Sequence, residues 1–136
     1  MEYRRGDDAL PFALALEQEE ARCREALPFQ HRVFSYIDRG FYSSQLRRLW
    51  RFFGREQVLV IRQEHLRLRP QTCLDRIWQH LHIPPGPAIT PLERHNGDYN
   101  HAMPPACRKR LRKIFWQEIG QLEQLLGWDC SDWLRS

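Results

Sequence analysis

The stretch "FFGREQVLVIRQEHL", Phe52 to Leu66, decides how the chain is read. Its centre, "QVLVIR" (57–62), is β-branched and apolar without alternation. Such a run predicts a strand buried on both faces, as in a parallel sheet covered by helices on either side. Immediately before it, residues 41–53 predict a helix. Tyr42, Leu46, Leu49, Trp50 and Phe53 recur there at three- and four-residue spacing and share one face. Arg47, Arg48 and Arg51 lie off that stripe, and Gly54 is the expected C-cap. The short turn between helix and strand fits an α/β unit.

Working outward, "PQTCLDRIWQHLHI" (70–83) predicts a second helix, with Leu74, Ile77, Trp78 and Leu81 as its apolar stripe. Residues 84–104 are rich in Pro, Gly and Asn and read as a long loop, the kind that often carries function. Residues 105–126 predict a final long helix, with Leu111, Ile114, Phe115, Ile119, Leu122 and Leu126 inside and Gly127 closing it. Asp129 or Ser131 can then cap a terminal turn that docks Trp133 and Leu134. On the N-terminal side, residues 9–25 predict a helix with Pro11 near its start and Pro28 beyond its end. A loop over 29–40 finishes at Gly40. The expected class is α/β, mostly helical, with one buried strand at 57–62. A lone strand leaves its backbone groups unpaired, so its expected partners lie outside these 136 residues. An open strand edge would also make the isolated chain prone to aggregate.

Composition narrows the functional classes. The chain is 42% hydrophobic and 28% charged, ordinary for a soluble globular domain. Its apolar runs, Val58 to Ile61 among them, are far too short to span a membrane, and "MEYRRGDDAL" lacks the apolar core of a signal peptide. A cytoplasmic protein is expected. The formal charge is +4 and almost all cations are Arg; Lys109 and Lys113 are the two lysines. Arginine suits bidentate contact with phosphate or sulfate. Cys23, Cys73, Cys107 and Cys130 form no CxxC pair and no zinc-type cluster with histidine. His65, His80, His82 and His101 show no ligand spacing either, so no metal is expected.

The order of these pieces carries a resemblance. It runs through "SYIDRGFYSSQLRRLWRFFGREQVLVIRQEHLRLRPQTCLDRIWQHLHI" (35–83), "RHNGDYNHAMPPACRKRLRKIF" (94–115) and "LEQLLGWDCSDWL" (122–134). This series resembles the C-terminal half of a sulfotransferase that uses 3′-phosphoadenosine 5′-phosphosulfate (PAPS), most closely the bacterial and heparan-sulfate-type members. Those show an RG-x-Y element, an aromatic amphipathic helix, a Phe-Pro-Arg-Glu-Gln-like turn and a strand ending in an acidic residue. Gly54 stands here in place of the turn's proline. The opening "MEYRRGDDALPFALALEQEEAR" (1–22) resembles the helix that follows the family's 3′-phosphate-binding Arg and Ser.

The resemblance implies a P-loop-like α/β domain with a parallel sheet. In that family a Gly-rich loop cradles the phosphosulfate through backbone N–H groups. No such loop is found in this chain, the Arg…Ser pair would precede Met1, and the usual base would also lie upstream. Residues 1–136 are thus expected to be a partial sulfotransferase domain without its N-terminal phosphosulfate-binding half, inactive alone and without catalytic residues of its own. The residues the resemblance assigns to cofactor contact are Arg39 and Gly40, at the adenine, and Arg94, His95 and Gly97, in the late loop that closes over the 3′-phosphate. An arginine can stack on a purine. Tyr42 is expected in the core, and Glu64 in a structural role. The implied acceptor is a small molecule or a carbohydrate, with no nucleic-acid partner. Two other readings stay open. One is a basic helical module binding nucleic acid or another polyanion through Arg47, Arg48, Arg51, Arg108, Lys109, Arg110 and Arg112. The other is a helical interaction domain with no ligand.

Overall fold

A computed structural model describes residues 8–28, 33–89 and 102–135. The chain divides into two compact units, residues 1–46 with 101–136, and residues 47–100.

In the first unit, α1 (Phe12–Arg24) follows Pro11, and a 3-10 turn (Asp38–Gly40) leads into the start of α2 (Tyr42–Leu49). The longest element is α5 (Pro105–Leu126), followed by the short α6 (Asp132–Arg135) packed against it. Pro105 sits where its missing N–H costs nothing. Gly127 ends α5 in the left-handed conformation (φ 65°), donating its N–H to Glu123 O at 2.8 Å. The core joins Ala15 and Leu16 of α1 with Cys107, Ile119 and Leu122 of α5 and with Cys130. All four cysteines are free thiols.

The second unit holds the rest of α2, a 3-10 turn (Arg55–Gln57), α3 (Gln63–Leu68) and α4 (Pro70–Leu81), with α3 packed on α4. Proline again opens α4, and His82 closes it in the left-handed region (φ 54°). Cys73 is its buried residue. Several large apolar side chains stay open on this unit, Phe52 at 76% and Leu68 at 68% among them.

The expected strand at 57–62 is not there, and with it falls the expected parallel-sheet α/β class: among the described residues there is no strand and no sheet. Gln57 closes the 3-10 turn through its N–H to Gly54 O (3.0 Å), and Val58 through its N–H to Arg55 O (3.2 Å). The backbone is extended at Val58 (φ −119°, ψ 106°) and at Arg62 (φ −71°, ψ 135°), and α3 then starts at Gln63. Val58, Leu59, Val60 and Ile61 are half-buried, not buried on two faces. β-Branched side chains set the extended dihedrals; a strand additionally requires a ladder partner, and no second extended segment pairs with this one among the described residues.

The expected helices fall close to their places, with two adjustments, whereas α3 (Gln63–Leu68) was not expected. The helix over 41–53 stops at Leu49, and residues 50–53 form a turn in which Phe52 and Phe53 both donate N–H to Leu49 O at 3.0 Å. Gly54 is therefore no left-handed C-cap. Its φ of −60° and ψ of 154° place it as the cap of the following 3-10 turn, where its N–H donates to Gln57 Oε1 at 2.8 Å.

Candidate functional site

The first unit contains a pocket of about 560 Å³, a size that takes a drug-sized or nucleotide-sized ligand. One wall is a single stripe of α5: Arg108, Leu111, Arg112, Phe115, Glu118, Ile119 and Leu122. These recur at three- and four-residue spacing, so they lie above one another on one helix face. Facing them are Tyr36, Arg39, Gly40 and Tyr42 from the turn and the start of α2. Met103 before α5, and Trp133 and Leu134 of α6, complete the lining.

Three buried carboxylates fix the segment 36–43 that forms the facing wall. Glu19 of α1, 5% exposed, accepts from the N–H of Ile37 (2.8 Å) and of Asp38 (2.9 Å). Both N–H groups sit at the start of the Asp38–Gly40 turn, where an anion is favoured. Glu118 of α5 does the same for α2: Oε1 accepts the Ser43 N–H at 2.6 Å and Oε2 the Ser43 hydroxyl at 2.7 Å. Asp8 holds the third point. It accepts two hydrogen bonds from the Arg22 guanidinium (2.9 and 3.1 Å), one from the Tyr36 hydroxyl (2.6 Å) and one from the Leu10 N–H (3.0 Å). The Arg22 hydrogen bonds dominate its acidity. They outweigh burial, which acts the other way, and with Tyr36 and Leu10 they lower the Asp8 pKa from 3.8 to about 2. Arg22 in turn lies 3.3 Å over the Phe34 ring.

Gly40 has a steric reason to be glycine. A Cβ there would sit 2.5 Å from Cζ of Phe115, so the backbone lies directly on that ring. Phe41 packs on the same ring, with centroids 5.5 Å apart and planes tilted by 53°.

Of the residues the sequence assigns to cofactor contact, the structure brings Arg39 and Gly40 into the pocket; Arg94, His95 and Gly97 lie outside the described residues. Tyr42, expected in the core, is 51% exposed and lines the pocket. Glu64 Oε2 lies 3.7 Å from Arg62 Nε, a local pair two positions apart. Met103, Phe115 and Trp133 are pocket residues that sequence reasoning did not assign to a site, and Arg108 and Arg112 were named only for a polyanion surface. The signal for them was available as spacing: Arg108 and Arg112 continue the Phe115–Ile119–Leu122 stripe one and two turns toward the N-terminus. The basic run 108–113 is divided between different surroundings. Arg108 and Arg112 line the pocket, Arg110 donates to Leu16 O (3.4 Å), and Arg112 donates to Arg135 O (2.9 Å). Among the described residues no three His, Cys, Asp or Glu side chains gather as a metal site, and no helix is long and apolar enough to cross a membrane.

The fold has a solved counterpart. The chain is similar to the crystal structure of a sulfotransferase from Alicyclobacillus acidocaldarius, with a TM-score of 0.79 and 28% sequence identity over 97% of this chain. It shares the fold of that bacterial sulfotransferase and spans about half its length, 49%. No protein-family profile matches the chain, and no curated protein does.

Proposed function

We propose that residues 1–136 form part of a PAPS-dependent sulfotransferase domain, and that Arg39 and Gly40 lie against the donor's nucleotide. The observation that carries this reading is the placement of Arg39 and Gly40 in an arginine-lined pocket, in a chain that shares its fold with a bacterial sulfotransferase. The pocket residues fit such a donor. A guanidinium can stack on adenine and also pair with a phosphate, and the glycine backbone leaves room for close approach. In the complete domain, PAPS supplies the sulfuryl group, and catalysis of such an in-line transfer rests mainly on positioning and charge stabilisation. The phosphosulfate loop and the base would come from residues outside this chain, so the 136-residue chain binds donor without turning it over. The free thiols fit a reducing cytoplasm.

Calorimetric titration of the chain with 3′-phosphoadenosine 5′-phosphate (PAP) tests the reading. Saturable binding, weakened about tenfold by Arg39→Ala, is expected; Arg39 is exposed, so that variant keeps the fold. Absence of PAP binding at millimolar concentration, with retention on heparin that falls steeply with salt, would instead establish the polyanion reading.

A further inference from the structure

The pocket's two ends differ in chemistry, and the difference specifies a second ligand. Its floor is apolar: Ile119 and Leu122 are 7% and 3% exposed, and Leu111, Phe115 and Met103 also line the pocket. The floor's one charged group, Glu118, has both oxygens engaged by Ser43. Each oxygen already accepts one bond, so the carboxylate is partly satisfied before any ligand arrives. One end of the stripe is cationic. Arg112 is tied to the Arg135 carbonyl, whereas Arg108, one turn further and exposed, has no hydrogen-bond or ion-pair partner among the described residues.

We propose that the interior of this pocket seats the sulfuryl acceptor, and that the acceptor is an amphipathic anion: an apolar or aromatic body on the floor, with a carboxylate or sulfate group paired to Arg108. The word acceptor rests on the sulfotransferase reading; the ligand class rests on the pocket alone. A sugar is the poorer occupant. Its hydroxyls would lose water against Ile119, Leu122 and Phe115, which offer them no partner, and unpaired buried polar groups are penalised. A neutral phenol satisfies the floor and leaves the arginine end unused. A cationic amine meets Arg108 with like charge.

Four probes separate these cases by calorimetry: 3-(4-hydroxyphenyl)propionate, 4-propylphenol, tyramine and glucose 6-sulfate. The propionate should bind several-fold to about tenfold tighter than 4-propylphenol, the range expected of one charge-assisted pair at a partly exposed site. Tyramine should bind more weakly than 4-propylphenol, and glucose 6-sulfate should not saturate. Arg108→Gln should erase the preference for the anion and leave 4-propylphenol within about twofold, while Arg47→Gln, outside the pocket, changes nothing. The proposal is overturned if glucose 6-sulfate binds as tightly as the propionate, or if Arg108→Gln keeps the preference. Repeating the titrations with saturating PAP separates the two readings. Competition between PAP and the propionate would give the whole pocket to the nucleotide and overturn the acceptor seat while leaving the donor reading intact. A chain that ignores PAP but keeps the Arg108-dependent preference would sink the donor reading and uphold the ligand class.

Discussion

Replacing Asp8 with Asn probes the network that holds Tyr36, and its size can be worked out in advance. The folded protein lowers the Asp8 pKa from 3.8 to about 2. At roughly 1.4 kcal/mol per tenfold change in proton affinity, the ionised carboxylate stabilises the fold by about 2 kcal/mol relative to its protonated form. Because the folded pKa is depressed, this contribution is fully present above pH 4 to 5 and is lost as pH falls toward 2. Asp8→Asn should remove it at every pH. The amide also sets an NH2 against the Arg22 guanidinium and the Tyr36 hydroxyl, two donors that now face a third. Urea denaturation of both proteins at pH 7, 5 and 3 should show a deficit of roughly 2 to 3 kcal/mol at pH 7 and 5, reduced by about 1 kcal/mol at pH 3. A deficit under about 0.5 kcal/mol at neutral pH would mean the ion pair merely balances its desolvation, as exposed and some buried pairs do. A deficit that does not shrink at pH 3 would assign the loss to shape instead of charge. Either result refutes the reasoning.

Three further substitutions test the rest of the site and one helix end. Glu118→Ala leaves the Ser43 N–H and hydroxyl without their acceptor at the start of α2, so thermal unfolding should report a loss of about 1 to 3 kcal/mol. Gly40→Ala drives a methyl group to 2.5 Å from the Phe115 ring, which must swing into the pocket. PAP affinity should fall at least severalfold while the unfolding midpoint moves little, and unchanged affinity would place the nucleotide elsewhere. His82→Gly relieves a left-handed residue (φ 54°) at the end of α4 and should raise stability by about 0.5 to 1 kcal/mol in urea denaturation.

What could be read from the sequence, and what could not, divides along a physical line. The helix at 105–126 was legible to its ends because local rules set both: proline at the first position and glycine in the left-handed conformation after the last. The same holds for Pro70 at the start of α4. The segment 57–62 was misread because residue type reports dihedral preference, whereas a strand depends on a partner that residue type cannot supply. In the site, Arg39 and Gly40 were legible from their place in an ordered series. Arg108 and Arg112 were legible only as part of a basic run that suggested a polyanion surface, not as pocket residues. The three anchoring carboxylates were the least legible of all. Asp8, Glu19 and Glu118 sit among other acids and arginines, and their partners are distant: Glu118 is 75 residues from Ser43 and Glu19 18 from Ile37.

Their burial follows from what segment 36–43 must do. A segment whose Tyr36, Arg39 and Tyr42 line an open pocket cannot be held by burying those same side chains. It has to be fixed from behind, through its backbone N–H groups and one hydroxyl at each end. Carboxylates suit that task, because each accepts several bonds and favours the positive end of a short helix. The distribution here fits: Asp8 at Tyr36, Glu19 at Ile37 and Asp38, Glu118 at Ser43. Arg39 and Gly40 are thus carried between two clamped points. Their position then depends on Glu19 and Glu118, which make no claim on ligand themselves. This is why Glu118→Ala is expected to act on stability first, and Gly40→Ala on affinity first. If both variants lost stability and affinity in equal proportion, the separation between clamp and contact would be wrong, and segment 36–43 would have to be held by the ligand as much as by the helices.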